Sequence, residues 1–119
     1  MAYTHTDPSE CDGIGPGARL KCVRRKLGAT AFGVNHVDLG PGELGREHDE
    51  RESGQEEVYI VLRGSGTMRI DDDTVELVPD RYLLIGPEHT RQPIAGGDGL
   101  VFAVVGAPPG RLYEPRGPF

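Results

Sequence analysis

Short runs of alternating apolar and polar residues dominate this chain, and turns containing glycine or proline separate them. The clearest run is EEVYIVL at residues 56–62. Its alternation places Glu57, Tyr59 and Val61 on one face and the remaining four side chains on the other. Both faces are largely apolar, which predicts a strand that is covered on both sides.

The same pattern predicts further strands elsewhere in the chain, and they are expected at residues 19–27, 30–39, 67–70, 74–78, 82–85 and 100–105. Gly64-Ser65-Gly66 is predicted to form a turn, and Asp71-Asp72-Asp73 a solvated hairpin turn rather than a calcium loop. Gly86-Pro87 predicts a turn that leads into a short polar strand. We therefore expect an all-β domain of about nine short strands, without a helix.

Composition supports one domain with irregular ends. A chain of 119 residues has room for a single core. Residues 1–18 are polar and contain several glycines and prolines, which predicts an irregular N-terminal arm. The domain proper is expected at residues 19–107, and a tail rich in proline and glycine at residues 108–119.

The charge and hydropathy of the chain exclude several classes of protein. The net charge of -6 provides no basic surface for nucleic acid. No apolar run reaches the length of a membrane span, and the first residues lack the features of a signal peptide. These observations predict a soluble, cytoplasmic protein in which Cys11 and Cys22 are free thiols.

The densest chemistry lies in residues 41–66, PGELGREHDERESGQEEVYIVLRGSG. Gly42 and His48 are separated by five residues, and Glu57 and Gly64 by six. This spacing resembles the first motif of the cupin superfamily, which has a His-x-His pair and then a glutamate between two glycines. The place of the second histidine is taken here by Glu50, or by Glu52 if the count starts from Glu57.

A second stretch, DRYLLIGPEHTRQ at residues 80–92, resembles the second cupin motif in its spacing and apolar pattern. Asp80, Gly86 and Glu88 stand at the places of its glycine, proline and second glycine. Arg91 stands where the last metal-binding histidine would lie. Together, the two stretches resemble small single-domain bacterial cupins and imply a jelly-roll barrel, the double-stranded β-helix.

The resemblance also implies a site, because cupins commonly hold a divalent cation with three histidines and a glutamate. Carried over to this chain, that set becomes His48, Glu50, Glu57 and Arg91. The first three could hold zinc, manganese or iron, whereas a guanidinium cannot be a ligand. In the alternative interpretation Arg91 replaces the metal and bridges Glu57 and Glu50 with forked hydrogen bonds.

These residues lead to three hypotheses about function. The first is a protein that binds a small molecule in a barrel pocket lined by His48, Glu50, Glu57, Tyr59 and Arg91. The second is a metal-dependent cupin enzyme, of the isomerase, cyclase or dioxygenase type, in which Arg91 orients an anionic metabolite. The third is a non-catalytic structural or accessory dimer, because the fold does not determine the activity.

Two further expectations concern surfaces and the remaining histidines. The outward residues Val58, Ile60 and Leu62 would form an apolar band that predicts a homodimer. His36 shares a strand face with Asp38 and is interpreted as a hydrogen-bonded strand histidine. His89 is a reserve metal ligand, provided that it shares a face with Arg91.

Overall fold

The computed structural model describes residues 2–119, which contain seven β-strands and one short α-helix. The strands are β1 (Gly13–Ile14), β2 (Leu20–Lys21), β3 (Gly33–Leu39), β4 (Glu56–Ile70), β5 (Asp73–Leu77), β6 (Tyr82–Ile85) and β7 (Arg91–Ala107). The helix, α1 (Val23–Leu27), lies between β2 and β3, and 3-10 turns cover Pro8–Glu10 and Pro16–Ala18. The predicted all-β class is confirmed, with fewer and longer strands than expected.

The two long strands, β4 and β7, organise the sheet. They have 15 and 17 residues and pair in antiparallel fashion at both ends, with residues 96–99 of β7 left without a partner in β4. In one region the first half of β4 pairs with the second half of β7, flanked by β6 and β3. In the other, the second half of β4 pairs with the start of β7 and with β5. Each long strand therefore contributes to both regions of the sheet.

The turn predicted at Gly64-Ser65-Gly66 is wrong, because β4 continues through these residues. The register with β7 shifts on both sides of Gly64, so the strand bends there instead of ending. Gly64 has a φ of +77°, and a Cβ on it would collide with the backbone of Gly99. The glycines thus allow a bent strand to lie close to its neighbour.

The predicted hairpin after this bend is confirmed. β4 and β5 pair from Ile70 opposite Asp73, with Asp71 and Asp72 at the turn. The Asp71 side chain also accepts a hydrogen bond from the amide of Thr90 at 3.1 Å. This contact ties the hairpin to the start of β7.

The strand predicted at residues 19–27 is wrong after its first residues. β2 covers only Leu20–Lys21, and α1 follows at once. Gly28 has the left-handed conformation, and its amide donates to the carbonyl of Arg24 at 2.8 Å, which is a helix C-cap. The three basic residues of α1 lie in its last turn, where the helix dipole favours them. The expectation of a domain without a helix is wrong for the same reason.

Among residues 2–119, the interior of the sheet is apolar with one exception. The buried cluster includes Val61, Met68, Leu100 and Phe102. Arg91, at the start of β7, is the buried charged residue and has no exposed surface. Such a charge must be compensated by neighbouring groups.

The ends of the chain lie against the sheet. β1 pairs with β2 and adds the N-terminal arm to the edge of β3. Cys11 and Cys22 are both buried free thiols. Within residues 2–119, no helix has the length and apolar character needed to cross a bilayer.

Candidate ligand and metal site

A cavity of about 740 Å³ opens on the inner side of the sheet. Its apolar wall comes from inward residues of β3, β4 and β7, namely Val37, Leu39, Tyr59, Phe102 and Val104. The rings of Tyr59 and Phe102 lie 5.6 Å apart and are tilted by 54°. The alternation of each strand places these residues on one face.

The polar group of the cavity is a cluster of His48, Glu50 and Glu57. Nε2 of His48 lies 3.4 Å from Oε2 of Glu50 and 3.5 Å from Oε1 of Glu57. All three side chains line the cavity and are largely shielded from solvent. Residues that lie up to nine positions apart in the sequence thus meet at one point.

The backbone holds each member of this cluster in place. His48 lies opposite Arg91 and exchanges two backbone hydrogen bonds with it, of 3.0 and 2.8 Å. The Glu50 amide donates to the carbonyl of Pro87 at 2.9 Å, and Oε1 of Glu50 accepts from the Ser53 hydroxyl at 2.9 Å. Glu57 sits near the start of β4, opposite Gly106 of β7.

Gly106 leaves room for the side chain of Glu57. A Cβ at position 106 would lie 3.1 Å from Cγ of Glu57 and 2.8 Å from Oε1 of Gln55. The second distance is shorter than side chains normally allow. A larger residue at position 106 would therefore displace one or both of these neighbours.

Glu57 interacts with two further groups through the same oxygen. The Tyr59 hydroxyl donates to Oε1 at 2.9 Å, and Nη2 of Arg91 lies 3.6 Å from it. Burial, followed by the charge of Glu57, raises the pKa of Tyr59 well above its ordinary value. Tyr59 therefore acts as a hydrogen-bond donor to the carboxylate.

Arg91 lies behind the cluster and does not line the cavity. Its Nη1 donates to the carbonyl of His89 at 2.6 Å and its Nη2 to that of Ile85 at 3.3 Å. The expected forked bridge between Glu57 and Glu50 does not form, because among the described residues only Glu57 pairs with Arg91. The prediction that Arg91 orients a ligand in the cavity is also wrong, because the side chain does not reach the cavity. Within residues 2–119, Nε of Arg91 has no hydrogen-bond partner.

The distances between the ligand atoms of the cluster suit a divalent cation. Atoms bound tetrahedrally at 2.0–2.2 Å lie about 3.3–3.6 Å from one another, which matches both distances from His48. The three ligand atoms all lie within 4.8 Å of one another. One imidazole and two carboxylates suit zinc, manganese or iron. The nearby charge of Arg91 would weaken the binding of such an ion.

The other candidate residues lie outside the cluster. Glu52 pairs with Arg116 at 3.0 Å, and its side chain is 85% exposed. His89 is bound to Asp71 through Nδ1 at 2.7 Å and is not among the described residues whose ligand atoms converge, so the structure gives no support for the reserve role. His36 lies on the outward face of β3, and burial lowers its pKa.

Sequence reasoning missed three residues of this region. Ser53 positions Glu50, and Asn35 lines the cavity with an amide oxygen that has no partner within residues 2–119. Tyr113 reaches the cavity from the C-terminal tail, which the composition had marked only as irregular. A local pattern carries no signal for such contacts.

Comparison with known proteins gives matches to solved structures. No family model and no curated protein matches the chain. A cupin protein from Bacteroides fragilis is 23% identical, with a TM-score of 0.76 over 98% of this chain and 92% of its own. The chain has the cupin fold. The predicted double-stranded β-helix is thereby confirmed.

Two further cupin-fold structures carry functional descriptions. A predicted oxalate decarboxylase from Thermotoga maritima is 16% identical, with a TM-score of 0.70 over 87% of this chain and 97% of its own. A sugar phosphate isomerase of the cupin superfamily from Silicibacter pomeroyi is 21% identical, with a TM-score of 0.69 over 87% of this chain and 75% of its own. At these identities the likeness concerns the fold alone.

Proposed function

We propose that this cupin binds a small molecule in its cavity without requiring a metal. The cavity volume of about 740 Å³ carries this proposal, because small-molecule sites usually have ~300–1,000 Å³. Its apolar wall and the convergent cluster of His48, Glu50 and Glu57 also match the usual composition of such sites. His48, Glu50, Glu57 and Tyr59 form the part that orients the ligand.

The polar cluster suggests the chemical class of this ligand. The carboxyl groups of Glu50 and Glu57 present acceptor oxygens to the cavity, and Arg91 lies behind them rather than in the cavity. A group that donates hydrogen bonds, such as a hydroxyl or an ammonium, would complement these oxygens. Val37, Phe102 and Val104 would contact an apolar body. We therefore propose an amphipathic ligand with at least one donor.

This function can be tested on the protein as purified. Small molecules released by denaturation would be identified by mass spectrometry, and neutral phenols and aliphatic amines would be tested for thermal stabilisation. Stabilisation of the wild type and its loss in Glu57→Gln would support the proposal. A lack of any copurified or stabilising compound would contradict it. Glu76→Gln, a change to an outward residue of β5, is the matched control.

The second candidate is a metal-dependent enzyme acting on an anionic metabolite. The distances of 3.4 and 3.5 Å within the cluster favour it. His48, Glu50 and Glu57 would hold the ion, which would supply a Lewis acid. Since Arg91 lies behind the cluster, the exposed Arg46 at the cavity edge would meet the anion. The likeness in fold to a structure described as a sugar phosphate isomerase, and to one described as a predicted oxalate decarboxylase, supports this candidate.

Metal analysis separates these candidates. Protein purified without chelator would be measured by elemental mass spectrometry, next to His48→Ala. A stoichiometric metal that is lost in this variant would favour the enzyme, whereas absence of metal in both would favour the metal-free site. A cavity without ligand or metal in either assay would leave the third candidate, an accessory protein.

We also propose that the protein forms a homodimer through the outer face of its sheet. Tyr82 and Leu84 of the edge strand β6 are 70% and 60% exposed, and Leu62 of β4 is 45% exposed. The register places Tyr82 beside Ile60 and Leu84 beside Val58. The helix α1 packs mainly against β3. A second copy of the chain would cover this apolar band.

A further inference from the structure

The C-terminal residues form part of the cavity wall. Tyr113, Arg116, Gly117 and Phe119 all line the cavity, although residues 108–119 contain no helix or strand. We call residues 111–119 the strap. The cavity is therefore enclosed on one side by a segment that, among the described residues, has no backbone hydrogen bond to the sheet.

Two arginines fasten the strap to the loop that carries Glu50. Arg111 donates to the carbonyl of Ser53, and Nη2 of Arg116 lies 3.0 Å from Oε2 of Glu52. The Ser53 hydroxyl in turn donates to Glu50. The strap thus contacts the same short loop that positions one carboxylate of the cluster.

Tyr113 fits against β3 because position 33 is a glycine. A Cβ on Gly33 would lie 2.9 Å from the Tyr113 hydroxyl. Burial raises the pKa of Tyr113. The charge of Arg24 opposes this shift, and the charge of Glu50 adds to it. Tyr113 thus lines the cavity beside β3.

We infer that the strap is a movable gate that closes the cavity over its occupant. Arg116 and Glu52 are 44% and 85% exposed, and exposed ion pairs stabilise a contact only weakly. A segment without backbone pairing to the sheet can open at small cost in free energy. Release of Arg111 and Arg116 opens the entrance, and their return encloses the ligand. The inference rests on the proposed function only for the identity of that ligand.

Access to a thiol placed inside the cavity tests this gate without knowledge of the ligand. Val104→Cys introduces a small side chain on the buried wall. Its reaction with methyl methanethiosulfonate would be followed by mass spectrometry, which separates it from Cys11 and Cys22. The strap variant combines Arg111→Ala and Arg116→Ala in this background. We expect labelling at position 104 to become at least fivefold faster.

The control removes an arginine from another exposed pair. Arg69 pairs with Glu47 away from the strap, and both side chains are about half exposed. Arg69→Ala should leave the labelling rate within twofold. Equal rates with and without the strap arginines would overturn the gate, because the strap would then be a fixed wall or no barrier. This outcome is independent of whether a ligand is ever found.

Hydrogen exchange provides a second measurement that needs no cysteine. The Gly54 amide donates to the carbonyl of Glu50 at 2.7 Å within the fastened loop. In the otherwise unaltered chain, the strap variant should exchange residues 50–54 at least fivefold faster than wild type. Unchanged exchange there would contradict the fastening. Should Val104→Cys fail to fold, this comparison decides the inference.

Discussion

Arg91 and Glu57 form an ion pair in which the arginine is fully buried and Nη2 lies 3.6 Å from Oε1. His48 lies 3.5 Å from the same oxygen, on the side of the cavity. One carboxylate therefore stands between a fixed positive charge and an imidazole. Arg91 already compensates part of the negative charge of Glu57. A cation at the cluster would therefore be attracted less strongly by this carboxylate.

Replacing the arginine should strengthen metal binding. Arg91→His removes the fixed charge and places an imidazole where the cupin motif has its last ligand. We expect zinc or manganese affinity to rise at least tenfold, as measured by calorimetry. Arg69→His, on the exposed side of β4, is the control for adding a histidine. Equal affinities in wild type and Arg91→His would count against the assignment of this site.

A methyl group at position 106 should disturb the cluster. Gly106→Ala brings a Cβ within 2.8 Å of Gln55 and 3.1 Å of Glu57. Because the end of the Gln55 side chain can move, we expect a loss of only about 1 kcal/mol in the free energy of unfolding, at the low end of overpacking costs, together with weaker binding of any stabilising compound. Urea denaturation measures the first effect and thermal shift the second.

Gly97 offers a matched control for this change. It also lies in β7, and a Cβ there would meet nothing within 4 Å. Gly97→Ala should leave both the stability and the binding close to wild type. If the two variants behaved alike, the space around Gly106 would not be what keeps Glu57 in place.

The hydroxyl of Tyr59 should make the free energy of unfolding depend on pH in the alkaline range. Its raised pKa means that the folded protein retains a proton which the unfolded chain releases above pH ~10. Since the folded state then binds more protons, the free energy of unfolding falls as pH rises through this range. Tyr59→Phe should remove part of this fall and cost about 1–2 kcal/mol at neutral pH.

Urea denaturation at pH 7 and pH 10.5 measures both effects. Tyr3→Phe, a change to an exposed tyrosine of the N-terminal arm, is the control and should keep the wild-type pH dependence. A Tyr59→Phe protein that lost as much stability in alkali as wild type would show that other groups cause the fall.

The sequence predicted those features that depend on local pattern. Alternation along β4 placed Tyr59 and Val61 inside, as observed. The spacing of the first motif selected His48, Glu50 and Glu57, which the fold brings within 4.8 Å of one another. These residues lie on one strand and the loop before it, so their relative positions depend mostly on a short stretch of sequence.

The remaining features depend on contacts between distant positions. Arg111 reaches Ser53 across 58 residues, and Tyr113 packs against Gly33. Nothing in the local composition of a tail rich in proline and glycine indicates these partners. The error at α1 has another cause, because five residues of apolar and basic character fit a strand and a short helix equally well until the left-handed Gly28 is seen.

The apolar outer face makes its own prediction about assembly. Leu84 lies at the edge of the sheet and is 60% exposed, so Leu84→Glu should not unfold a monomer. In a dimer that buries at least ~1,000 Å² through this face, two such charges would be desolvated. We therefore expect wild type to sediment as a dimer at micromolar concentration and Leu84→Glu as a monomer. Ile60 lies deeper in the band, and Ile60→Glu should give monomer or aggregate.

Leu112 is the matched control, since it is 88% exposed but lies in the strap rather than on β6 or β4. Leu112→Glu adds the same charge to another exposed leucine, and it should sediment as wild type does. The comparison separates loss of the sheet interface from a general effect of added negative charge on a chain whose net charge is already -6. A monomeric wild type would end the dimer proposal. Tyr82 and Leu84 would then be exposed in the free protein, and the sheet face would have to be explained without a second copy.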